Sequence, residues 1–159
     1  MILKNSRLGD VCKIQSGNSI APKEKDDLYR NVNEGLPYVA TKDIGLDGSI
    51  NFENGVRIPS KFDKKFRLSE KNSVLVCAEG GSAGKKIAYS NKDCYFVNKL
   101  FSIKPKIQID AKFIYYYTLS NIFQNQFKES LHGLIGGVSL SKIKNFKITY
   151  PSLLEQQPI

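Results

Sequence analysis

Residues 110–131, DAKFIYYYTLSNIFQNQFKESL, change the hydrophobic pattern of this 159-residue chain from strand-like to helical. The apolar residues that recur near helical spacing are Phe113, Ile114, Tyr117, Ile122, Phe123, Phe127 and Leu131. Asp110 precedes them as a candidate N-cap, and the Ser120-Asn121 pair predicts a break between two helical stretches. We therefore expect one helical region here.

Around this region the pattern is that of short strands separated by turns. The predicted strands are residues 36–41, 73–78, 86–89, 95–103 and 146–150, and residues 10–16 form a strand or a turn. Between them lie a polar loop at 18–35, turn signals at Asp47-Gly48 and Asn54-Gly55, and a short helix from Ser139 through Ile143. Strands, then helices, then a strand predict an α+β fold: a twisted mixed or antiparallel sheet with a few packed helices, not alternating βαβ units.

Length and composition indicate a single domain. Hydrophobic residues make up 41% of the chain and charged residues 25%, and no apolar run is long enough to span a membrane. The first ten residues lack the apolar core of a secretion signal, so we expect the chain to stay in the cytoplasm.

Cysteine and histidine usage argues against several classes of site. The three cysteines, Cys12, Cys77 and Cys94, are widely spaced and odd in number, which fits neither a disulfide framework nor a zinc knuckle. We interpret them as reduced core thiols. His132 is the only histidine, and its neighbour Gly133 suggests a helix end, so the sequence assigns no catalytic residue, no metal and no cofactor.

Positive charge is concentrated in the later part of the chain. Residues 1–56 carry 7 basic and 8 acidic side chains, whereas residues 57–159 carry 17 basic and 7 acidic ones, a net charge of +10. The positive electrostatic field of such a surface accelerates encounter with a polyanion. Release of counterions then favours binding when lysines neutralise phosphates. Nucleic acid is the leading partner predicted, although solvated lysines on a basic protein would give the same composition.

The glycine-rich stretch at residues 79–86, EGGSAGKK, resembles a phosphate-binding P-loop but departs from it twice. Glu79 stands where that motif requires glycine, and Lys86 stands where it requires serine or threonine. Residues 87–91 also read as a strand and turn, not as a helix. Two interpretations remain: an ordinary hairpin loop with exposed lysines, or a loop that approaches a nucleic-acid backbone.

Two further groups of residues could carry chemistry but have ordinary explanations. Glu24, Asp26 and Asp27 lie in a polar stretch with no apolar setting that would shift a carboxyl pKa. Tyr115-Tyr116-Tyr117 would point in three directions on a helix, so at most two are buried and one is a candidate surface anchor.

Several segments together resemble the target recognition domain of the DNA specificity subunit of type I restriction–modification systems. The matching segments are Leu8-Gly9-Asp10-Val11 with Gly17, Pro37-Tyr38-Val39, Asp43-Ile44, Val74-Leu75-Val76, the Gly81-x-x-Gly84-Lys85 loop, Asn98, residues 113–119, residues 136–143, and Ile148-Thr149-Tyr150-Pro151 followed by Glu155-Gln156. The chain departs from the family pattern at Asn72, where aspartate is common, and at Glu79.

The resemblance implies a non-catalytic domain that reads one half of a bipartite DNA site. It implies that a methyltransferase subunit, and through it a restriction subunit, are partners. Residues 1–151 are then the recognition domain and residues 152–159 the start of a helical spacer. A truncated chain and a natural half-size subunit that self-associates are both consistent with this division.

The leading hypothesis is therefore a reader of double-stranded DNA in which lysines contact phosphates and loop side chains contact base edges. The candidate phosphate contacts are Lys42, Lys64, Lys65, Lys85, Lys86 and Lys142, and the candidate base contacts are Thr41, Glu79 and Ser82. A carboxylate such as Glu79 can accept a hydrogen bond from the cytosine amino group, but it can equally be a solvated loop charge. The alternative is a protein-interaction module that docks on a methyltransferase subunit and binds DNA only weakly.

Overall fold

The computed structural model of the chain describes residues 2–106, 108–131 and 136–156. Its strands are β1 (Lys4–Arg7), β2 (Cys12–Ser16), β3 (Leu36–Val39), β4 (Arg57–Ile58), β5 (Leu68–Ser69), β6 (Ser73–Cys77), β7 (Ile87–Ser90), β8 (Cys94–Phe96), β9 (Leu100–Pro105) and β10 (Lys147–Tyr150). Its α-helices are α1 (Leu8–Val11), α2 (Pro22–Glu24), α3 (Ala111–Leu119), α4 (Asn121–Glu129), α5 (Leu140–Lys144) and α6 (Leu153–Gln156). Short 3-10 turns cover Thr41–Asp43 and Ser60–Lys65.

The larger sheet is antiparallel, with strand order β2-β9-β6-β7. Strand β6 is buried along its whole length because both faces of the sheet are covered. Val74 and Val76 pack in the core that includes residues of helices α3 and α4, whereas Leu75 and Cys77 pack toward the second sheet. This two-sided burial explains why residues 73–78 read as one continuous apolar run.

The second sheet is smaller and mixed, with order β4-β3-β8-β5 and a parallel pairing of β3 with β8. Val39 and Phe96 face the larger sheet. Tyr38 and Tyr95 lie on the opposite face, which is covered by aromatic residues from the preceding and following turns, Tyr29, Phe62 and Phe66. The domain is thus layered as helices, large sheet, small sheet and an outer aromatic layer, which confirms the predicted α+β class.

The predicted helix boundaries are confirmed by their caps. The Asp110 carboxylate accepts a hydrogen bond from the Lys112 backbone amide at 2.8 Å. The Ser120 hydroxyl accepts one from Phe123 N at 3.4 Å and so separates α3 from α4. At the shorter helix α5, Ser139 caps in the same way.

Two predictions about local structure are wrong. Residues 95–103 form two strands in different sheets, not one, because a turn in which Leu100 N bonds to the Val97 carbonyl redirects the chain from β8 to β9. The polar stretch 18–35 is not entirely loop. It contains α2 and a π-helical turn, Lys25–Tyr29, which form because Tyr29 becomes fully buried against the small sheet.

The chain ends lie together, since β1 pairs antiparallel with β10. Beyond β10, the Gln156 side chain is buried and bonds to the Gln108 carbonyl, the Pro151 carbonyl and the Asp110 amide. Gln156 therefore anchors the end of α6 on the domain, and the division at residue 151 stays a prediction. None of the helices in the described ranges could cross a membrane.

Burial of the cysteine thiols predicts a stability loss in alkali. Desolvation raises the pKa of the Cys94 thiol from 9.0 to about 12, and burial raises the pKa of the Cys12 thiol to about 12 as well. A raised pKa in the folded state means that stability is fully present below pH 9 and is lost as the pH rises toward 12. Each thiol should lower the free energy of unfolding by at most about 1.4 kcal/mol per pH unit in that window.

Urea unfolding of the reduced protein between pH 8 and pH 11 tests this expectation. Cys94→Ala removes one titrating group, so its free energy of unfolding should fall less steeply with pH than that of the parent protein. Parallel curves for the two proteins would show that Cys94 ionises equally in the folded and unfolded states.

Candidate nucleic-acid interface

Residues 79–86 form the loop that joins β6 to β7, which we call the glycine loop. Cys77 N donates to the Lys86 carbonyl and Gly84 N donates to the Cys77 carbonyl, each at 2.9 Å. Gly80 (φ +89°) and Gly84 (φ +74°) adopt the left-handed conformation that glycine tolerates best. Because a strand and not a helix follows the loop, the geometry is that of a hairpin and not of a P-loop.

The glycine loop is held by elements that are distant in the sequence. Val138 N donates to the Ala78 carbonyl and Gly80 N donates to the Gly136 carbonyl, each at 2.9 Å. On the other side, Gln124 of α4 donates from Nε2 to the Gly84 carbonyl at 3.0 Å. These contacts fix the backbone from which the side chains of the loop project.

The predicted site residues of the glycine loop are accessible to differing degrees. Glu79 and Lys85 are exposed, whereas Ser82 and Lys86 are partly buried. Lys86 Nζ donates to the Thr41 backbone carbonyl at 3.2 Å and so links the loop to the end of the small sheet. Exposed groups that project from a fixed backbone are well suited to recognition of an external ligand.

Thr41 and Lys42 follow β3 in a 3-10 turn beside this loop. Lys42 is exposed, but the Thr41 side-chain oxygen is buried and has no hydrogen-bond partner among the described residues. A base contact requires an accessible donor or acceptor. In this conformation Thr41 can support the site through its carbonyl, but its hydroxyl does not face a ligand.

Lys142 is carried by helix α5, and the segment before this helix is bonded to the glycine loop. Val138, four residues earlier, contacts the Ala78 carbonyl, and Ser139 caps the helix that carries Lys142. The structure thus links the glycine loop, which carries Lys85 and Lys86, to the turn that carries Lys42 and to the segment that leads into the helix of Lys142.

Lys64 and Lys65 belong to a different layer. Their 3-10 turn places Phe62 and Phe66 in the outer aromatic layer, where Lys65 Nζ lies 5.5 Å from the centre of the Phe62 ring. The small sheet separates this layer from the large sheet that carries the glycine loop. The sequence groups these two lysines with the rest, but the structure does not bring them together.

Ion pairs in the described residues involve no residue beyond Arg57. They are Arg7–Asp10, Lys23–Asp27, Arg30–Asp26 and Arg57–Glu53. Within the described ranges, no lysine from Lys61 onward is paired with a carboxylate, and several donate to backbone carbonyls instead. The charge of the later part of the chain is therefore not neutralised internally.

Other chemistry is not supported by the residues that the structure describes. The three cysteines are free and buried, and burial raises the pKa of each thiol, which disfavours a nucleophilic thiolate. In residues 2–106, 108–131 and 136–156, no cluster of three or more metal-ligating side chains occurs. His132 and Gly133 lie outside the described residues.

Of the three adjacent tyrosines, Tyr116 is 61% exposed and Tyr117 is buried, as the helical pattern predicts.

Sequence reasoning did not identify two residues that shape the site. Gln124 reaches the glycine loop from a helix 40 residues away, and nothing in the local pattern around it signals that contact. Gly137 opposes Glu79 in a short antiparallel bridge. The Gly136-Gly137 pair in the sequence indicates a turn. It does not indicate that residue 137 pairs with Glu79.

Solved structures share this fold over nearly the whole chain. A chain from a structural study of complex assembly and conformational transition of the type I R-M system matches with TM-score 0.75 and 21% identity, over 97% of this chain and 35% of that one. The HsdS subunit from Thermoanaerobacter tengcongensis matches with TM-score 0.73 and 21% identity, over 97% and 34%. A type I restriction–modification S subunit from M. genitalium matches with TM-score 0.61 and 17% identity, over 94% and 34%.

This chain thus spans about a third of the length of the structures it resembles. No curated protein sequence matches it significantly. The family model described as the type I restriction modification DNA specificity domain matches residues 3–159. Together with the fold, this match over nearly every residue shows that the chain belongs to the type I restriction–modification DNA specificity domain family.

Proposed function

We propose that this domain reads base sequence in double-stranded DNA through the glycine loop and the lysines around it. The observation that carries the proposal is the placement of exposed Glu79 and Lys85 on a loop whose backbone is bonded to residue 136 and to Gln124 of α4, with the Lys86 side chain bonded to the Thr41 carbonyl. A recognition group is selective only when its position is defined, and these bonds define it.

The charged and polar groups divide into two roles. Lys42, Lys85, Lys86 and Lys142 supply unpaired positive charge for phosphates, which fixes the domain on the duplex without reading sequence. Glu79 and Ser82 supply the groups for base edges. An exposed carboxylate accepts a hydrogen bond from the amino group of cytosine in the major groove, and Thr41 holds Lys86 through its carbonyl.

The similar proteins suggest the setting in which this reading operates. Two of them are S subunits, and the third comes from a study of complex assembly in a type I R-M system. We infer that this domain reads one half of a bipartite site for a methyltransferase subunit, and through it a restriction subunit, in the cytoplasm. Methyl transfer and cleavage then lie in those partners, and this domain is a non-catalytic reader.

Two substitutions in the glycine loop separate phosphate contact from base reading. Lys85→Ala should weaken binding to all duplexes alike because it removes a phosphate contact. Glu79→Gln should change the preference at one base position, by about 1 to 3 kcal/mol, because it replaces an acceptor-only group with an amide. Binding to a library of randomised duplexes, followed by sequencing of the bound fraction, measures both effects.

Lys4→Ala is the matched control for the loss of one positive charge. Lys4 is exposed on β1, in the two-stranded sheet at the chain ends. The Lys4→Ala variant should leave both the DNA affinity and the base preference unchanged. If Lys85→Ala and Glu79→Gln also leave binding unchanged, the glycine loop is not the DNA interface.

A further inference from the structure

The glycine loop is one side of a short antiparallel ladder whose other side is residues 136–138. Val138 N donates to the Ala78 carbonyl and Gly80 N donates to the Gly136 carbonyl, each at 2.9 Å. Between these two bonds Glu79 directly opposes Gly137. The candidate base-reading residue is thus paired with a residue that has no side chain.

This pairing is closer than an ordinary side chain allows. A Cβ atom built on Gly137 would lie 3.1 Å from the Glu79 Cβ and 3.7 Å from the Ala78 carbonyl oxygen. Directly opposed residues in antiparallel strands usually have Cβ atoms about 4.5 to 5.5 Å apart. An alanine at residue 137 therefore requires Glu79 to move by a few tenths of an ångström or more.

The other end of the loop cannot easily absorb such a movement. Gln124 Nε2 bonds to the Gly84 carbonyl at 3.0 Å and to the Thr118 carbonyl at 2.9 Å. A Cβ on Gly84 would lie 2.8 Å from the Phe127 ring, so the loop also packs tightly on α4. The tethered end at Gly84 therefore resists movement, and we expect a displacement to be confined to Glu79 and the open glycines beside it, Gly80 and Gly81.

We propose that Gly137 is a specificity-positioning residue: its lack of a side chain sets where the Glu79 carboxylate meets a base edge. Gly137 itself has no side chain with which to contact a base. This inference rests on the proposed function, because it assigns the positioning of the same reading loop. Recognition groups need to be held within about 0.5 Å of their productive geometry, so a small steric change at residue 137 is enough to alter base preference.

The test is a double-mutant cycle of Gly137→Ala with Glu79→Ala, measured as base preference on randomised duplexes. Gly137→Ala alone should reduce the preference at the base position that Glu79→Ala affects by about 3- to 10-fold, with affinity averaged over all sequences changed less than about 2-fold. In the Glu79→Ala background, Gly137→Ala should have no further effect at that position. Asn125→Ala, on the exposed surface of α4, is the control and should change neither quantity.

A second variant keeps the inference testable if Gly137→Ala folds poorly. Gln124→Met keeps the side-chain length but removes both hydrogen bonds to carbonyls, so it should loosen the loop and blunt the preference at the same base position. Urea unfolding of each variant shows whether it is folded under the conditions of the binding assay.

The outcomes distinguish the inference from the proposed function. If Glu79→Ala changes the preference but Gly137→Ala weakens all sequences alike, or acts equally in the Glu79→Ala background, the positioning role is refuted while base reading by Glu79 stands. If Glu79→Ala leaves the preference unchanged, the base-reading role of Glu79 is refuted and the positioning role with it.

Discussion

DNA affinity is expected to fall about 150-fold when monovalent salt is raised from 50 to 200 mM. In the proposed interface, Lys42, Lys85, Lys86 and Lys142 would neutralise about four phosphates. Each phosphate contact contributes about −0.9 to the slope of log affinity against log salt, which gives a slope of about −3.6. Titration of a labelled duplex at several salt concentrations measures the slope directly.

The same measurement decides whether the outer lysines share the interface. If Lys64 and Lys65 also contacted phosphates, the slope would be about −5.4 and the loss over this range nearly 2,000-fold. Because these residues lie in the outer aromatic layer, we expect the Lys64→Ala/Lys65→Ala variant to keep the parent slope. Affinity that is insensitive to salt would refute the phosphate contacts and favour a protein-docking role.

Gly17→Ala is expected to lower the free energy of unfolding by about 3 kcal/mol or more, a large part of the stability of a typical domain. Gly17 follows β2 where the two sheets meet. A Cβ there would overlap the Phe96 carbonyl and lie 2.5 Å from the Val97 carbonyl oxygen. Both are backbone atoms, so the clash cannot be relieved by a side-chain rotation.

Urea unfolding, monitored by circular dichroism, measures this loss. The exposed neighbour Ser19→Ala is the control and should keep the parent midpoint. A Gly17→Ala variant with an unchanged midpoint would show that the junction between β2, β8 and β9 is able to open without cost.

Helix positions were predictable because their signals are local. The Asp110, Ser120 and Ser139 side chains bond to amides two or three residues ahead, so sequence spacing alone locates the helix starts. The strand at residues 73–78 was equally predictable, since an uninterrupted apolar run of that length requires burial on both faces.

The strand break within residues 95–103 was not predictable in the same way. Both halves are apolar, and the pattern is the same whether the chain continues in one sheet or crosses to another. The break depends on the Val97 amide bonding to the Val39 carbonyl, 58 residues earlier in the chain. Such a contact leaves no local signal.

For the candidate site too, some features follow from the sequence and others only from the tertiary structure. Composition and residue order alone determine an α+β domain with its positive charge in the later part, and they single out the glycine loop with Glu79 and Lys85. Only the tertiary structure decides that the segment before Lys142 is bonded to this loop, that Lys64 and Lys65 lie in another layer, and that Gly137 opposes Glu79. The physical reason is range: caps, turns and apolar periodicity act over a few residues, whereas the surroundings of a loop depend on sheet pairing between distant segments.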